Sequence, residues 1–166
     1  MDRIWVAVLA AWMCGEAAVA QNAPPPPQVS EIRVSTDEAL WFVGGNGSQS
    51  NFVTAPERLG SGRTEIWLWG FYRPGHLRNH DTQANLLHVD CQTRQYQAIR
   101  SDLFVGARFL GGVWTNRPDA TPAPRSGLGL AVRAACGGLT TPPIAQNPDE
   151  ARRQADVLQA AAARAQ

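Results

Sequence analysis

The segment Leu86–Ile99 constrains the fold of this chain most, because two runs of alternating apolar residues flank a short polar turn in it. Side chains alternate between the two faces of a β-strand, so each run places its apolar members on one side. The pattern predicts a β-hairpin with one half-buried face. The apolar members are Leu87, Val89 and Cys91 in the first run and Tyr96 and Ala98 in the second.

The N-terminus is organised like a secretory signal peptide. A charged start is followed by an apolar run, Ile4–Met13, and by the small residues Ala18-Val19-Ala20. The run is too short to cross a membrane, which takes about 20 apolar residues. We therefore expect residues 1–20 to be removed and the protein to be exported to the periplasm, the cell surface or the medium. A lipoprotein signal with Cys14 as the modified residue is the alternative, which the bulky residues before it disfavour.

Two cysteines, Cys91 and Cys136, remain after signal cleavage. An even pair in an oxidising compartment predicts a disulfide, which here closes a loop of about 45 residues. A free thiol pair and a metal site are the alternatives. Neither cysteine belongs to the CxxC spacing that zinc sites and redox motifs use.

Composition changes along the chain predict a folded region between flanking segments. Residues 21–28 contain four consecutive prolines and should form an extended linker. Residues 29–138 form the predicted β-rich domain, and 139–147 a second linker. Residues 148–164 begin with Pro-Asp-Glu directly after Asn147, which is a typical helix start, but they offer few apolar residues besides alanine. We expect a helical tail that is mobile or depends on a partner.

The predicted fold is α+β, with a small antiparallel sheet of about five or six strands. A helix follows the sheet and is pinned to it by the disulfide, and the alanine-rich tail comes last. The helix should bury Leu128, Leu130, Val132 and Ala135. The predicted elements outside the hairpin are strands at Val29–Val34, Leu40–Val43, Thr64–Tyr72 and Leu103–Leu110, and a helix at Ser126–Ala135.

The strand Thr64–Tyr72 is apolar on both faces and should lie inside the sheet. One face carries Trp67, Trp69 and Phe71. These rings are either covered by another part of the chain or form an exposed row for binding or self-association. Trp67, Trp69 and Phe71 are therefore the candidate binding residues.

Motifs that carry catalysis or hold cofactors are not apparent in the sequence. His76 and His80 are four residues apart, but Pro74 and Gly75 argue against the helix that would align them as metal ligands. Four serines lie in Gly- or Pro-rich turns without a nucleophile pattern, namely Ser48, Ser50, Ser61 and Ser126. We expect no catalytic residue, metal or cofactor, and interpret His88 as part of a cross-strand polar contact.

The formal net charge of +1 does not favour a nucleic-acid partner, which a basic patch would indicate.

Four motifs occur together in this chain: Glu65–Trp69, Leu87–Tyr96 with its Asp-Cys pair, Trp114 and Leu130–Cys136. Together they resemble the bacterial surface-adhesin protein E family. That resemblance implies a small exported protein with an antiparallel sheet and a helix ending in a disulfide-bonded cysteine. It also implies surface or periplasmic binding, with host-matrix proteins as ligands.

The expected function is thus a non-catalytic binding or adhesion module of the bacterial envelope. The alternatives are a structural or assembly protein of the periplasm and, third, a small secreted enzyme. The partner would be a protein or a host-matrix ligand. The sequence leaves the oligomeric state open, a homodimer included.

Overall fold

A computed structural model describes residues 37–115 and 117–165, which belong to one compact unit spanning residues 35–166. The predicted signal peptide at 1–20, the proline linker at 21–28 and the strand Val29–Val34 lie outside the described residues. They stay predictions.

The described residues form an antiparallel sheet followed by two helices, which confirms the predicted α+β class. Six strands are hydrogen-bonded in the order β1-β2-β4-β5-β6-β7, and the short β3 pairs with the first two residues of β4. Neither helix in this part of the chain is long and apolar enough to cross a membrane. The elements are β1 (Trp41–Gly45), β2 (Gln49–Val53), β3 (Glu57–Arg58), β4 (Thr64–Tyr72), β5 (Thr82–Asp90), β6 (Gln95–Val105), β7 (Arg108–Trp114), α1 (Gly127–Gly137) and α2 (Pro148–Arg164).

The predicted hairpin is present as β5 and β6. Val89 pairs with Tyr96 and Leu87 with Ala98, so the apolar residues of both strands share one face. The turn between the strands contains Arg94 with a positive φ of 57°. Its first residue, Cys91, is bonded to Cys136 near the end of α1, with the two Cα atoms 5.2 Å apart. The predicted disulfide is therefore confirmed.

Helix α1 packs on the sheet face that carries Val53, Ile66 and Leu68. Ser126 caps the helix by accepting a hydrogen bond from the Gly129 N–H at 3.1 Å. The predicted apolar stripe is only partly right, because Leu128 and Leu130 are half-buried while small residues make most of the contact. Small side chains let the helix backbone approach the sheet closely. The buried hydrophobic residues of α1 are Ala131, Val132, Ala134 and Ala135.

Helix α2 packs on the opposite face of the sheet. Ala151 and Ala155 are buried, and the Gln159 amide donates a hydrogen bond to the Phe71 carbonyl at 2.9 Å. Arg152 lies over the Phe71 ring at 5.4 Å and donates to Asp81 Oδ1 at 2.9 Å. The helix predicted at 148–164 is therefore present, but these contacts do not fit the expected mobile or partner-dependent tail. Its alanines fit a helix that lies close to a sheet.

The segment predicted as a second linker also packs against the sheet. Leu40 and Ala145 form an antiparallel bridge, in which the Leu40 N–H donates to the Ala145 carbonyl at 2.8 Å. The Trp41 indole N–H donates to the Thr141 carbonyl at 2.7 Å. The segment before α2 thus covers the outer edge of β1.

Two features of the sheet differ from the sequence prediction. Leu103–Leu110 is not one strand, because the chain reverses at Gly106, whose φ is 59°, and continues as β7. A two-residue hairpin loop favours glycine at such a position. Strand β2 was not predicted, since Gln49, Ser50 and Asn51 look like loop residues. It is nevertheless an inner strand of the sheet.

The aromatic row of β4 is buried rather than exposed. Trp67, Trp69 and Phe71 are 8%, 3% and 2% accessible. Trp69 stacks between Phe71 and Phe104 at centroid distances of 6.1 and 5.5 Å, and α2 covers Phe71. The hypothesis of a solvent-open aromatic binding row is therefore wrong. These rings form part of a buried apolar layer on the sheet face opposite to α1.

The disulfide should supply a large share of the stability of the fold. Closing a 45-residue loop stabilises the folded state by about 4 kcal/mol in the chain-entropy estimate. We expect the Cys91→Ser, Cys136→Ser double variant to lose about that much unfolding free energy in denaturant titrations. Reductant should lower the stability of the parent protein and leave that of the double variant unchanged. An equal effect of reductant on both proteins would contradict the prediction.

The Arg152 contacts predict an acid dependence of stability. Burial alone would raise the pKa of Asp81, but the Gly106 N–H and the Arg152 guanidinium outweigh it and lower the pKa. A lowered folded-state pKa gives stability that is present above the unfolded pKa of about 3.9 and is lost as the pH falls through the folded value. Arg152→Gln should therefore lower stability at neutral pH and flatten its decrease in acid.

Urea titrations from pH 2 to pH 7 measure this dependence. Arg153→Gln is the matched control, because its side chain is exposed on the same helix. Parallel pH profiles for the parent protein and Arg152→Gln would contradict the prediction.

Candidate binding groove

A polar groove lies on the α1 face of the sheet, beside the N-terminal end of α1. Its volume is about 420 Å³, within the range of about 300–1,000 Å³ that small-molecule sites occupy. The floor comes from β2, β4, β5 and β6, and the walls come from α1 and the segment after β7. The polar lining residues are Gln49, Asn51, Tyr72, Gln83, Asn85, Tyr96, Ser101, Thr115, Arg117 and Ser126.

Gly70 of β4 forms the centre of the floor. Its cross-strand partners are Asn51 on β2 and Gln83 on β5. An amide side chain therefore lies on each side of Gly70, which has no side chain of its own. The three atoms nearest to a Cβ built at Gly70 would all belong to side chains: the Tyr72 hydroxyl at 3.2 Å, the Gln49 amide nitrogen at 3.4 Å and the Tyr72 ring at 3.4 Å. The groove thus exists where the sheet face lacks a side chain.

Hydrogen bonds between neighbours orient the four amides around this floor. Gln49 Nε2 donates to Asn51 Oδ1 at 2.7 Å, and Asn51 Nδ2 donates to the Gly44 carbonyl at 3.2 Å. On the other side, Gln83 Nε2 donates to Asn85 Oδ1 at 3.1 Å and to Ser101 Oγ at 2.9 Å. Each pair is therefore held by one bond within its own strand and one bond to the neighbouring strand.

The start of α1 forms one wall of the groove. A Cβ at Gly127 would lie only 2.7 Å from Asn51 Oδ1, so a glycine is needed where the helix meets the amides. The pKa of the nearby Tyr72 phenol is raised by burial. Tyr72 therefore stays neutral and keeps its hydroxyl proton at physiological pH.

The segment after β7 forms the opposite wall and is held by side-chain contacts. Arg63 makes two hydrogen bonds to the Asp119 carboxylate, at 3.0 and 2.5 Å. Gln97 Nε2 donates to the Arg117 carbonyl at 3.1 Å, and the Thr115 hydroxyl donates to the Ala98 carbonyl. These contacts hold Thr115 and Arg117 beside the sheet.

The chemistry of the lining suits binding by hydrogen bonds. Its polar groups are amides, hydroxyls and one guanidinium. The described lining residues include serine, threonine and tyrosine hydroxyls but no carboxylate, imidazole or thiol that would activate them as nucleophiles.

A second cavity, of about 490 Å³, lies beside β3 and contains two tryptophans and three carboxylates. Burial raises the pKa of Glu38, and the negative charges of Glu57 and Glu65 raise it further. Glu65 is already paired with His88, whose Nε2 lies 2.9 Å from Glu65 Oε2. The interpretation of His88 as part of a cross-strand polar contact is thus confirmed.

The loop histidines stack around a tyrosine. His76 is parallel to the Tyr72 ring at 6.0 Å, and His80 is edge-on to it at 6.2 Å. Within residues 37–115 and 117–165, no cluster of three or more His, Cys, Asp or Glu side chains is arranged to hold a metal ion.

Sequence reasoning did not identify the groove. The available signal was the alternation of amides, Gln49-x-Asn51 and Gln83-x-Asn85, which places the members of each pair on one strand face. What brings the two pairs together is the pairing of β2 and β5 with β4.

Comparison of the chain with protein-family models, curated proteins and solved structures finds no match. The function must therefore be argued from the site itself.

Two glycines of the sheet, Gly70 on β4 and Gly112 on β7, should respond differently to an added side chain. At Gly70 a Cβ would press on the ends of the Tyr72 and Gln49 side chains, which need to shift by only a few tenths of an ångström, and a strand favours valine over glycine. Gly70→Val should therefore change the unfolding free energy by less than about 1 kcal/mol. At Gly112 a Cβ would collide with the buried Asp102 carboxylate and with Arg100. Gly112→Val should cost about 1–3 kcal/mol.

Thermal and urea unfolding of the two variants measure this contrast. Equal destabilisation by both substitutions would show that the space above Gly70 is not open.

Proposed function

We propose that this chain is an exported, non-catalytic binding protein of the bacterial envelope that holds its ligand in the groove above Gly70. The observation that carries the proposal concerns Gly70, the position in the groove floor that has no side chain. Four amide side chains, each oriented by hydrogen bonds, surround it. Few convergent polar groups in a preformed concavity are typical of binding sites.

Export is supported by two independent features. Residues 1–20 have the pattern of a signal peptide, and the Cys91–Cys136 disulfide needs an oxidising compartment to persist. The antiparallel sheet with a disulfide-bonded helix also agrees with what the resemblance to the surface-adhesin protein E family implies. The proposed binding function therefore includes adhesion to a host-matrix protein.

A structural or assembly role is the second candidate, and strand β7 favours it. Among the described residues β7 pairs only with β6, so its other edge is open. An exposed apolar edge strand is a site where another chain adds. The exposed apolar residues of β7 are Phe109, Leu110, Val113 and Trp114.

Capture experiments with the purified exported protein separate the two functions. The immobilised protein, with its disulfide intact, is offered solubilised envelope fractions and purified host-matrix proteins. If the groove binds the ligand, Gly70→Val should abolish capture and Val113→Lys should leave it intact. The reverse result would favour assembly through β7 and overturn the binding function proposed for the groove. Capture unchanged in Gly70→Val would also overturn it.

A further inference from the structure

We propose that the groove binds a saccharide, an inference that rests on the binding function proposed above and names its ligand class. The groove must complement a molecule rich in neutral groups that both donate and accept hydrogen bonds. Sugar hydroxyls are such groups, since each carries one donor hydrogen and two acceptor lone pairs.

The amides keep both kinds of hydrogen-bonding group for a ligand. Gln49 and Gln83 use their amide nitrogens in the bonds to neighbouring side chains, which leaves their Oε1 atoms as acceptors. Asn85 uses its Oδ1 to accept from Gln83, which leaves its Nδ2 as a donor. Among the described residues these three atoms make no other hydrogen bond. The floor of the groove thus offers two acceptor atoms and one donor atom to a ligand.

The charge of the groove narrows the ligand further. Arg117 is the single charged side chain among the described lining residues, and it lies at the rim. A cationic ligand would find no counter-charge in this lining. A neutral saccharide, or one with an acidic substituent near Arg117, fits the groove.

A peptide is less well matched to the same surface. Peptides bind sheets mainly by adding a strand to a free edge, where their main-chain groups are satisfied. The groove lies on a face of the sheet, above Gly70 in β4, whose two edges are already paired with β2 and β5. A bound peptide would have to satisfy its backbone through side chains alone.

The test is a glycan array probed with the exported, disulfide-bonded protein, followed by calorimetry with the best-binding oligosaccharide. The array carries neutral, N-acetylated and uronic-acid oligosaccharides, and a parallel array carries short polar peptides. We expect groove-dependent binding on the glycan array. Gln83→Leu should weaken it about tenfold or more, because ligand hydroxyls would face an apolar group.

Two further variants keep the result interpretable. Gln92→Leu makes the same chemical change at an exposed turn position and should bind like the parent protein. Gly70→Val fills the floor without removing an amide and should abolish binding even if Gln83→Leu proves unstable.

Each remaining outcome overturns the saccharide assignment. Binding to peptides that Gly70→Val abolishes would give the groove a different ligand class. Glycan binding unaffected by Gly70→Val would place the site elsewhere. Groove-dependent capture of a protein or envelope fraction without any glycan binding would refute the saccharide while leaving the binding function intact. The absence of groove-dependent binding in both the capture and array experiments would overturn both proposals.

Discussion

Burial of both faces of β4 is the constraint on which the rest of the structure depends. The strand lies between β2 and β5 and carries Ile66 and Leu68 on one face and Trp67, Trp69 and Phe71 on the other. A sheet that is apolar on both sides needs two covering layers. The chain supplies them in sequence, with α1 on one face and α2 on the other. Each layer has its own attachment, a disulfide for α1 and the Arg152 contacts for α2.

The groove follows from a mismatch in length between α1 and the strand that it covers. An α-helix rises about 1.5 Å per residue, so the 11 residues of α1 span about 16 Å. The nine residues of β4 span about 30 Å at 3.3 Å per residue. Even a helix laid along the strand would cover about half of it. The sheet face changes from apolar to polar at Gly70. This position lies beside the N-terminal end of α1, beyond which the helix no longer covers the sheet.

The sequence was informative where one local pattern decides the structure. Alternation predicted the β5–β6 hairpin, the cysteine pair predicted the disulfide, and Asn147 with the following proline predicted the start of α2, where Asn147 Oδ1 accepts from the Glu150 N–H at 2.9 Å. It was not informative where tertiary contacts decide. The location of α2 on the sheet depends on how Arg152 meets Asp81, which lies 71 residues earlier. The polar strand β2 resembles a loop until its pairing with β4 is known.

The same argument explains why the sequence did not predict the groove and suggested the aromatic row as the binding site instead. Exposed aromatic residues are common in binding sites, but the burial of Trp67, Trp69 and Phe71 depends on layers that local pattern does not reveal. The four amides, by contrast, look like ordinary solvent-facing residues along each strand. The strand register brings them together, because Asn51 and Gln83 are both partners of Gly70.

Stability alone does not account for the composition of this face. Val53, Leu68 and Leu87 lie close to the amides, and further apolar residues would have extended their core. A glycine inside a strand costs about 0.5–1 kcal/mol relative to alanine, and Gly70 has an ordinary strand backbone that other residues adopt. Natural proteins depart from locally stabilising choices mainly at functional sites. Gly70 and the four amides around it are such a departure at a single place on the sheet.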